Sequence, residues 1–118
     1  MDANAKIAAV HRYVEAFANS DMDIIRDLYA DNATVEDPVG TEVRSGMDAI
    51  VAFYETALQS GAKLELTGTP RCSGNAVAFP FKVVMGAMQI DIIDVFEFDA
   101  AGKVVSMKAY WGPENTRV

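Results

Sequence analysis

The chain has 118 residues, the length of one domain, since domains usually contain about 100 to 200 residues. Hydrophobic residues make up 51% and charged residues 23%, which excludes a disordered or low-complexity chain. There are 17 acidic and 10 basic residues, so the net charge is -7 and a nucleic-acid partner is not expected. We therefore expect a single globular domain over residues 1–118.

One cysteine, Cys72, and one histidine, His11, are too few for a disulfide or for a metal site built from several histidines. The residues after Met1 lack the basic and apolar segments of a signal peptide. No apolar run approaches the ~18 residues of a membrane span. These features predict a soluble, cytoplasmic protein with no membrane insertion and no bound metal.

The first half of the chain has the hydrophobic period of amphipathic helices. Apolar residues at spacings of three and four predict a first helix that ends near Asn19. Ser20 and Ser45 each stand three residues before an aspartate, a pattern that caps helix starts and predicts two more helices. The third helix should reach about Gln59. A short strand is expected between the second and third helices, over residues 33–36.

After the third helix, the hydrophobic period changes to two, which is typical of strands. Beyond a first short strand, we expect strands over 76–85, 88–98 and 103–111. Pro80 suggests that its strand lies at a sheet edge or contains a bulge. In the last strand, the odd-numbered residues 105–111 should share one face. Helices followed by strands predict an α+β fold, with helices covering one face of a mostly antiparallel sheet.

Asp94 breaks the pattern of its own strand. By strand parity it shares a face with Ile90, Ile92, Phe96 and Phe98, which are all large and apolar. Lost solvation favours the neutral acid, which raises the pKa of the carboxyl group and makes it a hydrogen-bond donor. Two other interpretations remain open at this stage: a buried aspartate that accepts backbone amides, or a bulge that reverses the parity and exposes the side chain.

Three of the four tyrosines, Tyr13, Tyr29 and Tyr54, fall at or beside the apolar faces of the predicted helices. Buried phenols require hydrogen-bond partners. One interpretation is therefore a network of phenol groups. The other is a set of aromatic core residues whose hydroxyls each reach solvent or a backbone carbonyl.

Asp37 stands immediately before Pro38, and a residue before proline avoids helical geometry. If the short strand continues this far, Glu36 and Asp37 point to opposite faces, so one of them faces inward. An Asp-Pro pair before Gly40 is also the composition of a plain turn. Both a catalytic carboxylate and a turn residue are compatible with this pattern.

Two of the most specific stretches are DNATVEDPVG, which contains Asp37, and IDVFEF, which contains Asp94. With these and further matching stretches, the chain resembles the bacterial steroid delta-isomerases, the ketosteroid isomerases, over nearly its whole length. The resemblance implies a cystatin-like, nuclear-transport-factor-like α+β roll, in which a curved sheet and three helices enclose a cone-shaped pocket. It also implies a homodimer packed through the sheets. The matching stretches are residues 11–14, 28–40, 52–54, 93–98, 102–107 and 110–111.

The reaction implied by the resemblance converts a 3-oxo-Δ5-steroid into its 3-oxo-Δ4 isomer through a dienolate, without any cofactor. Asp37 matches the general base that carries the proton from C4 to C6. Tyr13 and Asp94 match the two donors to the C3 oxygen, and Asp94 must be protonated for this role. Tyr54 and Tyr29 match positions that extend the hydrogen-bond network behind the oxyanion tyrosine.

Aromatic and thioether side chains suit a flat, rigid hydrocarbon, and five of them are expected to line the steroid pocket. The alternative to an isomerase is a non-catalytic steroid-binding module, or another cofactor-free enzyme on the same fold. A binding module needs no acid, phenol and base together, so their joint presence favours the isomerase. The expected pocket walls are Phe53, Phe79, Phe81, Met107 and Trp111.

Overall fold

The computed structural model describes residues 1–118, in which three helices pack on a sheet of eight strands. This confirms the predicted α+β class. The helices are α1 (Ala3–Asn19), α2 (Met22–Leu28) and α3 (Met47–Gln59), and a 3-10 turn covers Pro113–Asn115. The strands are β1 (Tyr29–Glu36), β2 (Arg44–Ser45), β3 (Lys63–Leu66), β4 (Arg71–Ser73), β5 (Ala76–Met85), β6 (Met88–Phe98), β7 (Val104–Tyr110) and β8 (Thr116–Arg117).

The strand order is β2-β1-β7-β6-β5-β3, with β4 beside β5 and β8 beside β6. Only β1 and β7 run parallel, and the other pairs are antiparallel. β5, β6 and β7 form the centre of the sheet, so side chains on the inner face of β6 are covered by neighbours on both sides. No helix is long and apolar enough to cross a bilayer.

The core between the helices and the inner face of the sheet is rich in aromatic rings. The ring of Tyr13 on α1 contacts those of Phe17, Phe79, Phe96 and Tyr54 edge-to-face, with centroids 5.1 to 6.0 Å apart. Such pairs contribute about 0.5 to 1.5 kcal/mol each beyond the area they bury. The first helix is therefore held on the sheet by the residue that the sequence singled out.

The two predicted serine caps are wrong in detail, although both helices form. Ser20 instead ends α1 in the left-handed conformation, and Asp21 caps α2 by accepting the Asp23 N–H at 3.0 Å. Ser45 pairs with β1, so its backbone is used by the sheet. Gly46, with φ at +88°, provides the turn into α3 without a side-chain cap.

β1 starts earlier than predicted, at Tyr29 instead of Ala33, and its pairing with β7 changes register between Tyr29 and Thr34. The exposed residues Asp31 and Asn32 lie in this irregular part, and their polarity conceals the strand in the sequence.

A second register shift lies between β6 and β7. Strand parity predicted that Val105 faces inward, but the shift buries Val104 instead. Met107 and Ala109 face inward as expected.

Pro80 lies neither at a sheet edge nor in a bulge, because β5 pairs continuously with β6 around it. On the other side of β5, β3 pairs up to Phe81 and β4 begins at Ala78, so the neighbouring ladder is interrupted at Pro80. The proline nitrogen faces this gap, so the absence of an N–H costs no hydrogen bond between strands. Only its carbonyl is used, by the Thr67 N–H at 3.0 Å.

Candidate active site

Asp94 lies on the inner face of β6, between Phe79 of β5 and Ala109 of β7. Its residue is 2% exposed, and its Oδ1 atom has no hydrogen-bond partner in the protein. The strand parity of the sequence correctly predicted this inward direction. A buried polar atom without a hydrogen-bond partner lowers the free energy of unfolding by about 1 to 3 kcal/mol, so the position of this oxygen destabilises the fold.

Burial in this apolar environment raises the pKa of Asp94 well above its ordinary value, and the nearby charge of Asp37 raises it further. Both causes act against the charged form. Burial therefore favours the neutral acid, which has one O–H to donate.

Three phenol groups meet in the same core. The Tyr54 hydroxyl of α3 hydrogen bonds to the Tyr13 hydroxyl of α1 at 3.0 Å and to the Tyr29 hydroxyl at 2.5 Å. All three side chains are buried, Tyr13 at 3% exposure. The phenol network is thus the interpretation that the structure supports, and each of the three rings contacts at least two other aromatic rings.

Burial raises the pKa of each of the three phenols well above its usual value, and the neighbouring acidic groups, Asp94 among them, raise it further. A hydrogen bond from Tyr54 acts in the opposite direction on the pKa of Tyr13. The network therefore consists of neutral donors, and Tyr54 favours extra negative charge on the Tyr13 oxygen.

Asp37 follows the end of β1, in a loop attached to β7 by the Val39 N–H, which donates to the Ala109 carbonyl at 2.8 Å. The indole N–H of Trp111 donates to Asp37 Oδ1 at 2.7 Å. The preceding Glu36 accepts the Gly40 N–H at 2.8 Å instead. Ala109 is also the cross-strand partner of Asp94, so β7 joins the Asp37 loop to the strand of Asp94, and the two carboxyl groups are within electrostatic reach.

Partial burial raises the pKa of Asp37 above its ordinary value, while the Trp111 hydrogen bond and the charge of Arg44 each lower it. Desolvation is the largest of these effects, so the net pKa shift is upward. A carboxylate with a raised pKa is a stronger base than an exposed one, yet the two opposing contacts still favour its ionised form.

The expected pocket walls occupy different positions. Phe79 contacts the Tyr13 ring, and Phe53 contacts the Tyr54 ring at 5.0 Å. Phe81 stacks on Phe79, with centroids 5.5 Å apart. Two of these side chains line open hollows: Phe53 lines one of about 600 Å³ along α3, and Phe81 lines one of about 280 Å³ at the far end of β5. Asp94 and Tyr13 line neither hollow and lie in the closed core.

Met107 is fully buried opposite Phe96, whereas Trp111 is only partly buried. Trp111 was expected as a wall, and its hydrogen bond to Asp37 was missed. Arg44, whose guanidinium lies 4.5 Å above the centre of the Phe53 ring, was missed altogether. No spacing in the sequence indicates either contact, because both join segments that meet only in the fold.

We expect the pH dependence of stability to report the state of Asp94. The folded protein binds this proton more tightly than the unfolded chain, whose carboxyl has a pKa of about 3.9. Its contribution is fully present below that pH and is lost as the pH rises toward the raised folded value. Over this window, Asp94 alone lowers the free energy of unfolding by up to about 1.4 kcal/mol per pH unit.

Asp94→Asn should remove this part of the slope in denaturant titrations at several pH values. Asp31→Asn is the matched control, since Asp31 is exposed on β1 and its replacement should leave the slope unchanged. Equal slopes for the wild type and Asp94→Asn would contradict a neutral Asp94.

The curved sheet, the three helices and the inward set of carboxyl and phenol groups define an α+β protein with a polar site enclosed by its core. No group of three or more His, Cys, Asp or Glu side chains is placed to hold a metal ion. A family model described as the SnoaL-like domain matches residues 10–107.

The steroid delta-isomerase of Nocardioides simplex is 40% identical to this chain over 117 residues, which cover 96% of this chain and 94% of that protein. The chain belongs to the SnoaL-like domain family and, within it, to the steroid delta-isomerases indicated by the sequence resemblance. This relationship supports an isomerase.

A solved structure of SalBIII, an epoxide hydrolase/cyclase-like enzyme in pyran ring formation in polyether salinomycin, has the same fold. It aligns with a TM-score of 0.92 and 28% identity, and the alignment covers 99% of this chain and 98% of SalBIII. The fold therefore also hosts cyclase-like enzymes.

Proposed function

We propose that the protein is a steroid delta-isomerase that converts 3-oxo-Δ5-steroids into 3-oxo-Δ4-steroids without a cofactor. The observation that carries this proposal is the buried carboxyl of Asp94, whose Oδ1 has no partner, in the same core as Tyr13 and within electrostatic reach of Asp37. Two neutral donors and one carboxylate are the groups that an enolisation needs.

Asp37 is the general base in this proposal. Its carboxylate takes a proton from C4, and the electrons of that C–H bond move toward the C3 carbonyl to form a dienolate. The same carboxyl then returns the proton to C6, and the electrons move back to leave a C4–C5 double bond. The Trp111 hydrogen bond to Oδ1 leaves the other carboxylate oxygen available for the proton.

Tyr13 and Asp94 stabilise the dienolate. A proton next to a ketone is far less acidic than a carboxylic acid, so Asp37 can remove it only if the charge developing on the C3 oxygen is neutralised there. Two donors in a dry, rigid core provide this without reorganising solvent. The unpartnered oxygen of Asp94 agrees with a group whose acceptor is the substrate.

Tyr54 and Tyr29 support the Tyr13 donor. When Tyr13 uses its O–H toward the substrate, its oxygen accepts from Tyr54, and Tyr54 in turn accepts from Tyr29. Such a chain of donors strengthens the last hydrogen bond as charge builds on the C3 oxygen. The two outer tyrosines are positioning residues, since they act through Tyr13.

The test is to follow ultraviolet absorbance when the purified protein meets 5-androstene-3,17-dione, because the conjugated product absorbs where the substrate does not. We expect rapid conversion without added metal or nucleotide. A folded protein that binds the steroid and does not convert it would contradict the isomerase and favour a binding module. The similarity to SalBIII favours a second candidate function, an epoxide-opening enzyme. In that case the purified protein should convert an epoxide substrate and leave the steroid unchanged.

The homodimer implied by the family resemblance is part of the proposal. Ile93 and Tyr110 are cross-strand partners on the outer face of the sheet, and each is 48% exposed. We expect sedimentation velocity to show a dimer, and Ile93→Lys to weaken it by burying a charge in an apolar contact. Val43→Lys, at an equally exposed loop position, is the control. A wild-type monomer at micromolar concentration would contradict this arrangement.

A further inference from the structure

The largest hollow of the molecule lies along α3 and is not explained by the proton transfer. Its volume is about 600 Å³, within the range of about 300 to 1,000 Å³ that is usual for ligand sites. Its lining is formed by one cation and a mostly small, apolar face of α3: Arg44, Ala49, Ala52, Phe53, Thr56 and Ala57.

Arg44 forms no ion pair. No carboxylate lies within ion-pair distance of it, and its side chain donates no hydrogen bond in the protein. Its Nη1 atom is nevertheless removed from solvent. The guanidinium is held by the Phe53 ring, 4.5 Å from its centre, which keeps its planar edge of donors in one orientation.

Two lining residues, Arg44 and Phe53, connect the hollow to the candidate active site. Arg44 pairs with Val35, two residues before Asp37, and its charge lowers the pKa of the Asp37 carboxyl. The Phe53 ring, over which Arg44 lies, contacts the ring of Tyr54 in the phenol network, with centroids 5.0 Å apart. The cationic end of the hollow therefore lies within electrostatic reach of Asp37, the base of the proposed reaction.

We propose that Arg44 recognises a carboxylate on the substrate, so that the preferred substrates are acidic steroids whose side chain ends in a carboxyl group. This inference rests on the proposed isomerase function. A guanidinium presents parallel N–H donors that match the two oxygens of a carboxylate, and the apolar face of α3 fits a hydrocarbon side chain. A neutral steroid leaves those donors unused.

The test compares a 3-oxo-Δ5-steroid that carries a side-chain carboxylate with its methyl ester, which has the same skeleton without the charge. We expect kcat/KM to be about 10- to 100-fold higher for the acid, the range of a hydrogen bond to a charged group. Arg44→Gln should abolish this preference, and Arg44→Lys should keep part of it. The readout is the ratio of kcat/KM for the acid to kcat/KM for the ester. An effect of Arg44 on Asp37 changes both values by the same factor and leaves this ratio unchanged.

Arg26→Gln is the matched control, since Arg26 is an exposed cation on α2 away from the hollow, and the preference should survive this change. Equilibrium binding of the acid and the ester gives a second readout that needs no turnover. If the ester is isomerised and Arg44→Gln leaves the acid-to-ester ratio unchanged in both measurements, the carboxylate site is overturned and the isomerase stands. If neither compound is isomerised, the proposed function fails, and the binding ratio still decides the role of Arg44.

Discussion

Replacing Asp37 by asparagine is expected to lower kcat by about 10⁴-fold, the upper end of what one general base contributes. The amide has nearly the shape of the carboxyl group, and its oxygen can still accept the Trp111 N–H. It cannot take a proton from carbon at neutral pH. Steady-state kinetics on 5-androstene-3,17-dione measures the loss, and equilibrium binding of the steroid should remain close to that of the wild type.

The matched control for this change is Glu36→Gln, one residue earlier in the chain. Glu36 accepts the Gly40 N–H, and a glutamine oxygen can do the same, so the loop keeps its contact. We expect nearly full activity from this variant. A folded Asp37→Asn protein with nearly full activity would show that another group is the base.

Replacing Tyr13 by phenylalanine is expected to lower kcat by about 10²- to 10³-fold, the usual cost of one lost oxyanion donor. The ring contacts of Tyr13 with Phe17, Phe79 and Phe96 are kept, so the fold should be retained. KM should change little, because the hydrogen bond gains most of its strength as charge develops on the C3 oxygen. Single-turnover absorbance measurements place the loss on the chemical step.

Tyr110→Phe is the control for the removal of a phenol oxygen. Tyr110 lies on the outer face of β7 and is exposed, so its hydroxyl has no part in the core network. This variant should keep wild-type kcat. If Tyr13→Phe changed KM alone, or left both constants unchanged, Tyr13 would be a structural aromatic residue and not an oxyanion donor.

Hydrophobic periodicity predicted the three helices, five of the eight strands and the inward direction of Asp94, but not the short strands β2, β4 and β8. What it predicted are local properties. A strand places alternate residues on opposite faces, so the large apolar neighbours of Asp94, such as Ile92 and Phe96, show which face is buried. The same periodicity marks the helices, because their buried faces recur every three to four residues.

Local patterns failed where a backbone group had a distant partner. Ser45 has the spacing of a helix cap, but its backbone pairs with Thr34 in the sheet. The early part of β1 looks polar, but Tyr29 pairs with Val104 across the fold. A hydrogen bond to a remote strand is set by the sheet register, which the residues beside it in the sequence do not encode.

The assembly of the candidate site depends on contacts between residues far apart in the chain. Tyr13 and Tyr54 are 41 residues apart in the chain, and Trp111 and Asp37 are 74 apart, yet each pair forms a hydrogen bond. Pairs this distant meet only after α1 and α3 pack on the sheet and the β1 loop is attached to β7. The strength of Asp37 as a base depends on these meetings, because the pKa of a carboxyl group is set by burial and by neighbours that the fold supplies.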